Sequence, residues 1–226
     1  MNSQFLSISK LIDHALLNPS LTAAQLEAGC RAAIEYDVAS VCIMPFYLRR
    51  CAEILAGTSV IPSTVIGFPH GGHATAIKSA EARQAIGDGG RELDMVVNIS
   101  AVCSGDWEYV RGDIEPIIKV GHGAGAKVKV IFENAYLNEE QKIRLCEICG
   151  ELGADWAKTS TGFAASGASD EDVRLMRRHC PSGVQIKASG GIRTLDRVLS
   201  LQALGVTRIG TSSTAAILDE AKKRFS

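Results

Sequence analysis

Lys129, Lys158 and Lys187 recur 29 residues apart, each within or at the end of a short apolar run. A lysine placed in an apolar interior is costly as an ammonium, and it becomes a nucleophile when burial and a neighbouring cation depress its pKa. The stretch around Lys158, Trp156-Ala157-Lys158-Thr159-Ser160-Thr161-Gly162, adds hydroxyls and a glycine that can turn donors toward an anion. Asp94, in Leu93-Asp94-Met95-Val96-Val97, supplies a carboxylate for proton transfer. An amine, a cation that lowers its pKa and an acid/base group make the minimum set for aldehyde chemistry through a Schiff base. In that assignment Lys158 is the nucleophile, Lys187 the second cation and Asp94 the proton shuttle. Two roles stay open for Lys129: a polar-network partner of Asp94 and Glu133, or a substrate contact.

A second group of residues suits an anion. Ser189-Gly190-Gly191-Ile192-Arg193 and Gly210-Thr211-Ser212-Ser213 follow the last two apolar runs. Glycines let the backbone approach a phosphate closely, and serines add hydroxyl donors. Gly162, Gly190, Gly191, Arg193, Gly210, Ser212 and Ser213 are therefore the candidate phosphate-binding residues. Asp13 and Cys42, also at ends of apolar runs, are candidate pocket-lining residues, with Lys129 as a less certain third.

These groups need a scaffold that brings strand ends together. Eight short runs have strand character: Leu11–Leu16, Ser40–Ile43, Ser63–Ile66, Glu92–Val97, Lys127–Phe132, Asp155–Thr159, Val184–Ser189 and Thr207–Gly210. Helical patterns separate them. Thr22 with Gln25 and Asn138 with Gln141 have capping-box spacing, and Leu21 with Leu26 makes a staple. Ser169 opens a helix with acids at its start and bases at its end, and Gly57, Gly153 and Gly205 fall where helices should stop. Pro116 predicts two shorter pieces or a kink between Trp107 and Gly121. Strand–helix alternation implies right-handed crossovers and a parallel sheet, and eight units in 226 residues fit an α/β (β/α)₈ TIM barrel as a single domain, residues 1–226. A doubly wound open sheet is the runner-up, but no GxGxxG opens the first helix. In such a barrel, residues at strand C-termini share one mouth, so the three lysines are expected at similar heights.

Composition narrows the function. A net charge of −1 gives no electrostatic case for nucleic acid or an anionic membrane. Met1 to Lys10 carries no basic-then-apolar signal pattern, and no apolar run is long enough to span a bilayer, so a cytoplasmic protein is expected. The odd count of 7 cysteines suits reduced thiols, and the lone CxxC at Cys146 and Cys149 reads as two thiols on one helix face. His70 and His73 flank glycines after the third run with no carboxylate to complete a metal site, and His122 and His179 suit helix ends. No cofactor or metal is expected.

The chain resembles the class I, metal-independent deoxyribose-phosphate aldolases from about Leu11 to Ile217. The resemblance rests on ordered motifs: Leu11-Ile12-Asp13-His14-Ala15-Leu16-Leu17, Val41-Cys42-Ile43-Met44-Pro45, Val65-Ile66-Gly67-Phe68-Pro69, Glu92-Leu93-Asp94-Met95-Val96, Lys129-Val130-Ile131, Lys158-Thr159-Ser160-Thr161-Gly162 and Lys187-Ala188-Ser189-Gly190-Gly191-Ile192-Arg193. It implies reversible cleavage of 2-deoxy-D-ribose 5-phosphate to acetaldehyde and D-glyceraldehyde 3-phosphate, with Lys158 at the Schiff-base position. It also implies small sugar-phosphate and aldehyde partners and a homodimer or larger homo-oligomer. Phe163, where some relatives place a lysine, and Glu133-Asn134, in place of the more usual Glu-Thr, depart from the family pattern. A Schiff-base aldolase with another aldehyde or ketone pair, and a non-catalytic sugar-phosphate-binding barrel, are the alternatives.

Overall fold

The computed structural model describes residues 3–225, so residues 1 and 2 of the N-terminal decapeptide and residue 226 of the single-domain expectation lie outside the described residues. Eight parallel strands close in sequence order: β1 (Ile12–Leu16), β2 (Ser40–Ile43), β3 (Ile61–Ile66), β4 (Glu92–Val96), β5 (Lys127–Ile131), β6 (Trp156–Lys158), β7 (Gln185–Ser189) and β8 (Val206–Thr211), with β8 pairing back onto β1. All eight expected strands are present, displaced at their ends by a residue or two. Around them run α2 (Ala23–Glu35), α3 (Leu48–Leu55), α4 (Thr75–Gly87), α5 (Ile99–Ser104), α6 (Trp107–Gly123), α7 (Glu139–Leu152), α8 (Asp170–His179), α9 (Leu195–Ala203) and α10 (Thr214–Arg224). An additional helix, α1 (Ser3–Ser9), precedes the barrel; its Phe5 and Ile8 are buried, and it lies against α10.

The strands divide their side chains between two very different interiors. Outward-facing Val41, Ile43, Leu93, Met95, Val128, Val130, Ile186, Ala188 and Ile209 join the apolar core beneath the helices. The alternate, inward residues include Asp13, Asp94, Lys129, Lys158 and Lys187. Hydrophobic burial between sheet and helices thus stabilises a barrel whose own centre is charged.

Helix ends follow the local chemistry. Thr22 and Asn138 complete reciprocal capping boxes with Gln25 and Gln141, and Ser169 accepts from the Asp172 amide. Each cap satisfies amides that the first turn leaves without a partner. Thr22→Ala should therefore lower stability by about 1 kcal/mol without changing turnover; a urea transition that does not move would contradict the role assigned to this cap. The expected division at Pro116 does not occur. One helix, α6, runs through it, because Val110, Ile114, Ile117 and Ile118 are buried along one face and hold both halves on the barrel. Lys78, on α4, is another surprise: it is fully buried outside the barrel, paired with Asp113 and donating to the Val96 carbonyl at 2.9 Å.

Candidate active site

Strand register orders the inward residues into layers. With the shear of eight usual for this barrel, about one residue of stagger per strand places residues from alternate strands at one height. The printed pairings then give a layer of Asp13, Ser63, Lys129 and Lys187 from the odd strands. Cys42, Asp94, Lys158 and Gly210, from the even strands, form the layer above it. Ser40, Glu92, Trp156 and Arg208 lie below both. The three lysines are therefore not all at one height, despite their equal sequence spacing. Lys158 is paired in register with Lys187 and Lys129 with Trp156, so with the stagger Lys129 and Lys187 share a height and Lys158 sits a step above both.

Asp94 is the hub. Its Oδ1 accepts from Lys129 at 2.8 Å, and its Oδ2 accepts from Lys158 at 2.7 Å and Lys187 at 2.6 Å. Asp13 receives Lys187 on one oxygen, and Ser40 and Arg208, both at 2.6 Å, on the other. Arg208 also grips Glu92 with both terminal nitrogens, at 2.9 and 3.1 Å, and Glu92 pairs with Lys129. Trp156 floors the group, its ring 4.8 Å from the Arg208 guanidinium carbon. Glu133 is not part of the network, contrary to the partnership considered for Lys129. Its backbone is left-handed, and its carboxylate accepts from the amide and hydroxyl of Thr161 instead.

The network holds four cations (Lys129, Lys158, Lys187 and Arg208) against three carboxylates (Asp13, Glu92 and Asp94), all of them buried. A surplus charge away from water is expensive, so the group that gives up a proton should be the least supported one. Lys129 touches three acids and Lys187 two, while Lys158 has only a share of Asp94. The pKa directions agree. Burial, reinforced by the Lys187 charge, pushes Lys158 below the ordinary lysine value despite the opposing pull of Asp94. Burial also opposes charge on Lys187, but Asp13 and Asp94 outweigh it and raise its pKa, so Lys187 stays an ammonium beside Lys158. The Asp94 carboxyl, although burial favours its neutral form, is held well below the usual range by the three lysines.

Above the network opens a cavity of about 730 Å³. Asp13, Cys42, Lys158 and Lys187 reach it from below, whereas Asp94 and Lys129 lie behind them and do not line it. Gly162, Gly190, Gly191, Arg193, Gly210, Ser212 and Ser213 all line its wall. Gly190 packs so tightly that a Cβ on Gly167 would lie 2.1 Å from the Gly190 carbonyl oxygen, so these loops touch backbone to backbone. Gly210 leaves one quarter of the Lys158 layer without a side chain; a Cβ there would sit 3.0 Å from Ser189 Cβ and 3.4 Å from Lys187 Cε. Ala15, Leu17 and Cys42 add apolar lining, and behind them Leu17 and Cys42 pack with Val65 against Ala15, Met44 and Phe68. Phe68 in turn meets Phe163 edge to face, ring centroids 5.2 Å apart. Burial raises the Cys42 thiol pKa, which suits a lining residue rather than a thiolate nucleophile.

Among the described residues no group of three or more His, Cys, Asp or Glu side chains could hold a metal ion, and no helix is long and apolar enough to cross a membrane. His122 lies in the last turn of α6 and His179 ends α8, as expected. Sequence reasoning passed over Glu92, Arg208 and Trp156 as site residues. Their signal was weak, since each opens or follows the start of a strand and only the register turns it inward.

Known proteins are similar to this chain over almost its whole length. A deoxyribose-phosphate aldolase of Rhodopirellula baltica is 59% identical over 222 residues, covering 98% of this chain and 92% of the relative. One from Thermococcus gammatolerans is 47% identical over 219 residues, covering 96% and 97%. The structure of a tetrameric deoxyribose phosphate aldolase from Aeropyrum pernix superposes with a TM-score of 0.89 at 29% identity, covering 97% of this chain and 93% of that one. With residues 7–218 matching the family profile as well, the chain belongs to the DeoC/LacD family of aldolases.

Proposed function

We propose that this barrel reversibly cleaves 2-deoxy-D-ribose 5-phosphate to acetaldehyde and D-glyceraldehyde 3-phosphate through a Schiff base on Lys158. One observation carries the reading. Lys158 is the network's least supported cation, and it opens into a cavity whose wall is built from glycine and serine loops. In the synthetic direction the neutral amine attacks the acetaldehyde carbonyl carbon, and the carbinolamine hydroxyl takes up a proton through the water relay and leaves as water, giving a protonated imine. Removal of a methyl proton gives the enamine, whose carbon attacks the aldehyde of glyceraldehyde 3-phosphate while that oxygen takes a proton. Water then hydrolyses the new imine and restores the amine.

Charge explains why each helper stands where it does. A neutral Lys158 balances the buried network, and the iminium returns the same positive charge to the same place, 2.7 Å from Asp94. Lys187 tunes the amine by staying charged. Asp94 relays protons through water between carbinolamine and enamine, and its depressed pKa returns each proton rather than retaining it. The loops after β6, β7 and β8, with the N-terminus of α10, hold the phosphate. Lys129, tied to Asp94, Glu92 and Asp13, keeps Asp94 ionised without reaching substrate. The barrel works as a single catalytic domain without a cofactor, as a homo-oligomer like the tetrameric Aeropyrum relative, and its seven free thiols, six of them buried, fit the cytoplasm.

Incubation with acetaldehyde and borohydride, followed by peptide mass spectrometry, tests the reaction. An N-ethyl group on Lys158 is expected. No adduct, or an adduct confined to another lysine, sinks the assignment, and binding of the sugar phosphate with no adduct would leave a sugar-phosphate receptor. Faster turnover of a ketose phosphate than of deoxyribose 5-phosphate would move the chain to another aldol pair.

A further inference from the structure

We propose that His14 is a positioning residue that fixes the phosphate-binding end of α10; the inference rests on the anion site described above. His14 follows Asp13 on β1, so its ring leaves the charged layers, while the residue still lines the cavity above them. There its Nδ1 lies 2.7 Å from Thr214 Oγ1. Thr214 is the first residue of α10, directly after Ser212 and Ser213, and it is 2% exposed. The imidazole therefore joins the strand that carries Asp13 to the helix that starts directly after the cavity-lining Ser212 and Ser213.

The rest of this corner is tied in the same fashion. His14 is paired with Thr211 across the β1–β8 seam. Thr211 Oγ1 donates to the Ile192 carbonyl at 2.7 Å and accepts from the Ser213 amide at 2.9 Å. One hydroxyl thus joins the loop after β7 to the loop after β8, and the histidine joins both to β1. Ser213 has no side-chain cap bond to α10, so two side-chain ties hold this helix start to the barrel seam: the Thr211 hydroxyl on the Ser213 amide, and the His14–Thr214 contact, which alone reaches β1. Burial pushes the His14 pKa down to about 4, so the ring is neutral at ordinary pH and adds no charge to the anion site. Its part is to hold the donors in place, and an anion-binding helix start that drifts loses aligned hydrogen bonds rather than chemistry.

The test compares His14→Phe, which keeps a ring but loses Nδ1, with His14→Asn, whose amide reaches about as far as Nδ1 and no farther. His14→Phe should raise KM for deoxyribose 5-phosphate, and the inhibition constant of inorganic phosphate, about tenfold while kcat changes less than about twofold. KM for unphosphorylated deoxyribose should not change. His14→Asn should recover most of the loss. Thr214→Val should match His14→Phe, and the double variant should be no worse than either single one, because both remove the same bond. Thr214→Val also provides the answer if the phenylalanine variant does not fold. A fall in kcat at constant KM, wild-type behaviour of Thr214→Val, or rescue by His14→Gln (which reaches the Nε2 position) instead of asparagine would overturn the role. A wild-type protein that handles phosphorylated and unphosphorylated sugars alike would remove the anion site itself, and this role with it.

Discussion

Lys158→Met should abolish turnover, by about 10⁴-fold or more, and leave the protein as stable as before or slightly more so. The activity loss follows from removing the only nitrogen proposed to bond to substrate. The stability result follows from the charge inventory. Without Lys158 the network has three cations and three carboxylates, and both oxygens of Asp94 keep a lysine, Lys129 on one and Lys187 on the other. Lys158 is the neutral amine of the resting protein, so an apolar chain of similar length removes no ion pair and leaves no buried carboxylate without its cation. Urea denaturation beside a turnover assay checks both halves. A loss of several kcal/mol would mean that Lys158 is charged and well paired in the resting protein, and the proposed neutral nucleophile would be wrong.

Lys187→Leu should behave in the opposite way, lowering stability by about 3–5 kcal/mol, because Asp13 and Asp94 each lose a buried partner. Turnover should fall about 10²–10³-fold, within the range of a lost electrostatic helper. The pH profile should also move in a definite direction. The reacting form of Lys158 is the free amine, so the rate rises as pH climbs through its pKa. Lys187 is one of the causes that lower that pKa, and removing it leaves more uncompensated carboxylate nearby; both effects raise the Lys158 pKa. The rising limb should therefore shift to higher pH. The stability deficit should be largest where the wild-type pairs are intact, above the ordinary carboxylate range and below the ordinary lysine pKa. The raised Lys187 pKa carries its contribution past the alkaline end of that window, and the lowered Asp13 and Asp94 values carry theirs past the acid end. A limb that stays in place or moves toward acid would remove Lys187 as the tuning charge.

The strands were legible because burial on the outer barrel face demands apolar residues at alternate positions, and runs such as Val128-Lys129-Val130 meet that demand around an inward lysine. The pairing of Lys158 with Lys187 was legible from their spacing, one β/α unit. The height of Lys158, a layer above the other two lysines, was not. Sequence spacing counts helix and loop residues as well as strand residues, so equal intervals do not preserve register. Glu92 and Arg208 escaped for a related reason. A charge near the start of a strand ordinarily faces water, and only closure of the barrel turns these two toward Asp13 and Lys129. Pro116 does not divide the helix because its penalty is local, whereas the packing that outweighs it comes from residues a turn away on the same face. Glu133 was adjacent in sequence to the strand that carries Lys129, but its left-handed backbone turns it toward Thr161.

Gly210, in the Lys158 layer, leaves open a place where even a methyl group would press on Ser189 Cβ at 3.0 Å and lie 3.4 Å from Lys187 Cε. A residue that contributes nothing to the electrostatics thus leaves room beside the tuning cation, and a larger side chain there would crowd Ser189 and Lys187. Nucleophile and vacancy come from strands two apart, β6 and β8, which in a barrel of this stagger are the strands that share a level. This gives a search rule for uncharacterised barrels: look for a lysine and a glycine at equal height on strands two apart, with a second lysine in register between them. Proteins selected on that geometry need not share any sequence motif with this one, and borohydride trapping would sort the enzymes among them from the coincidences.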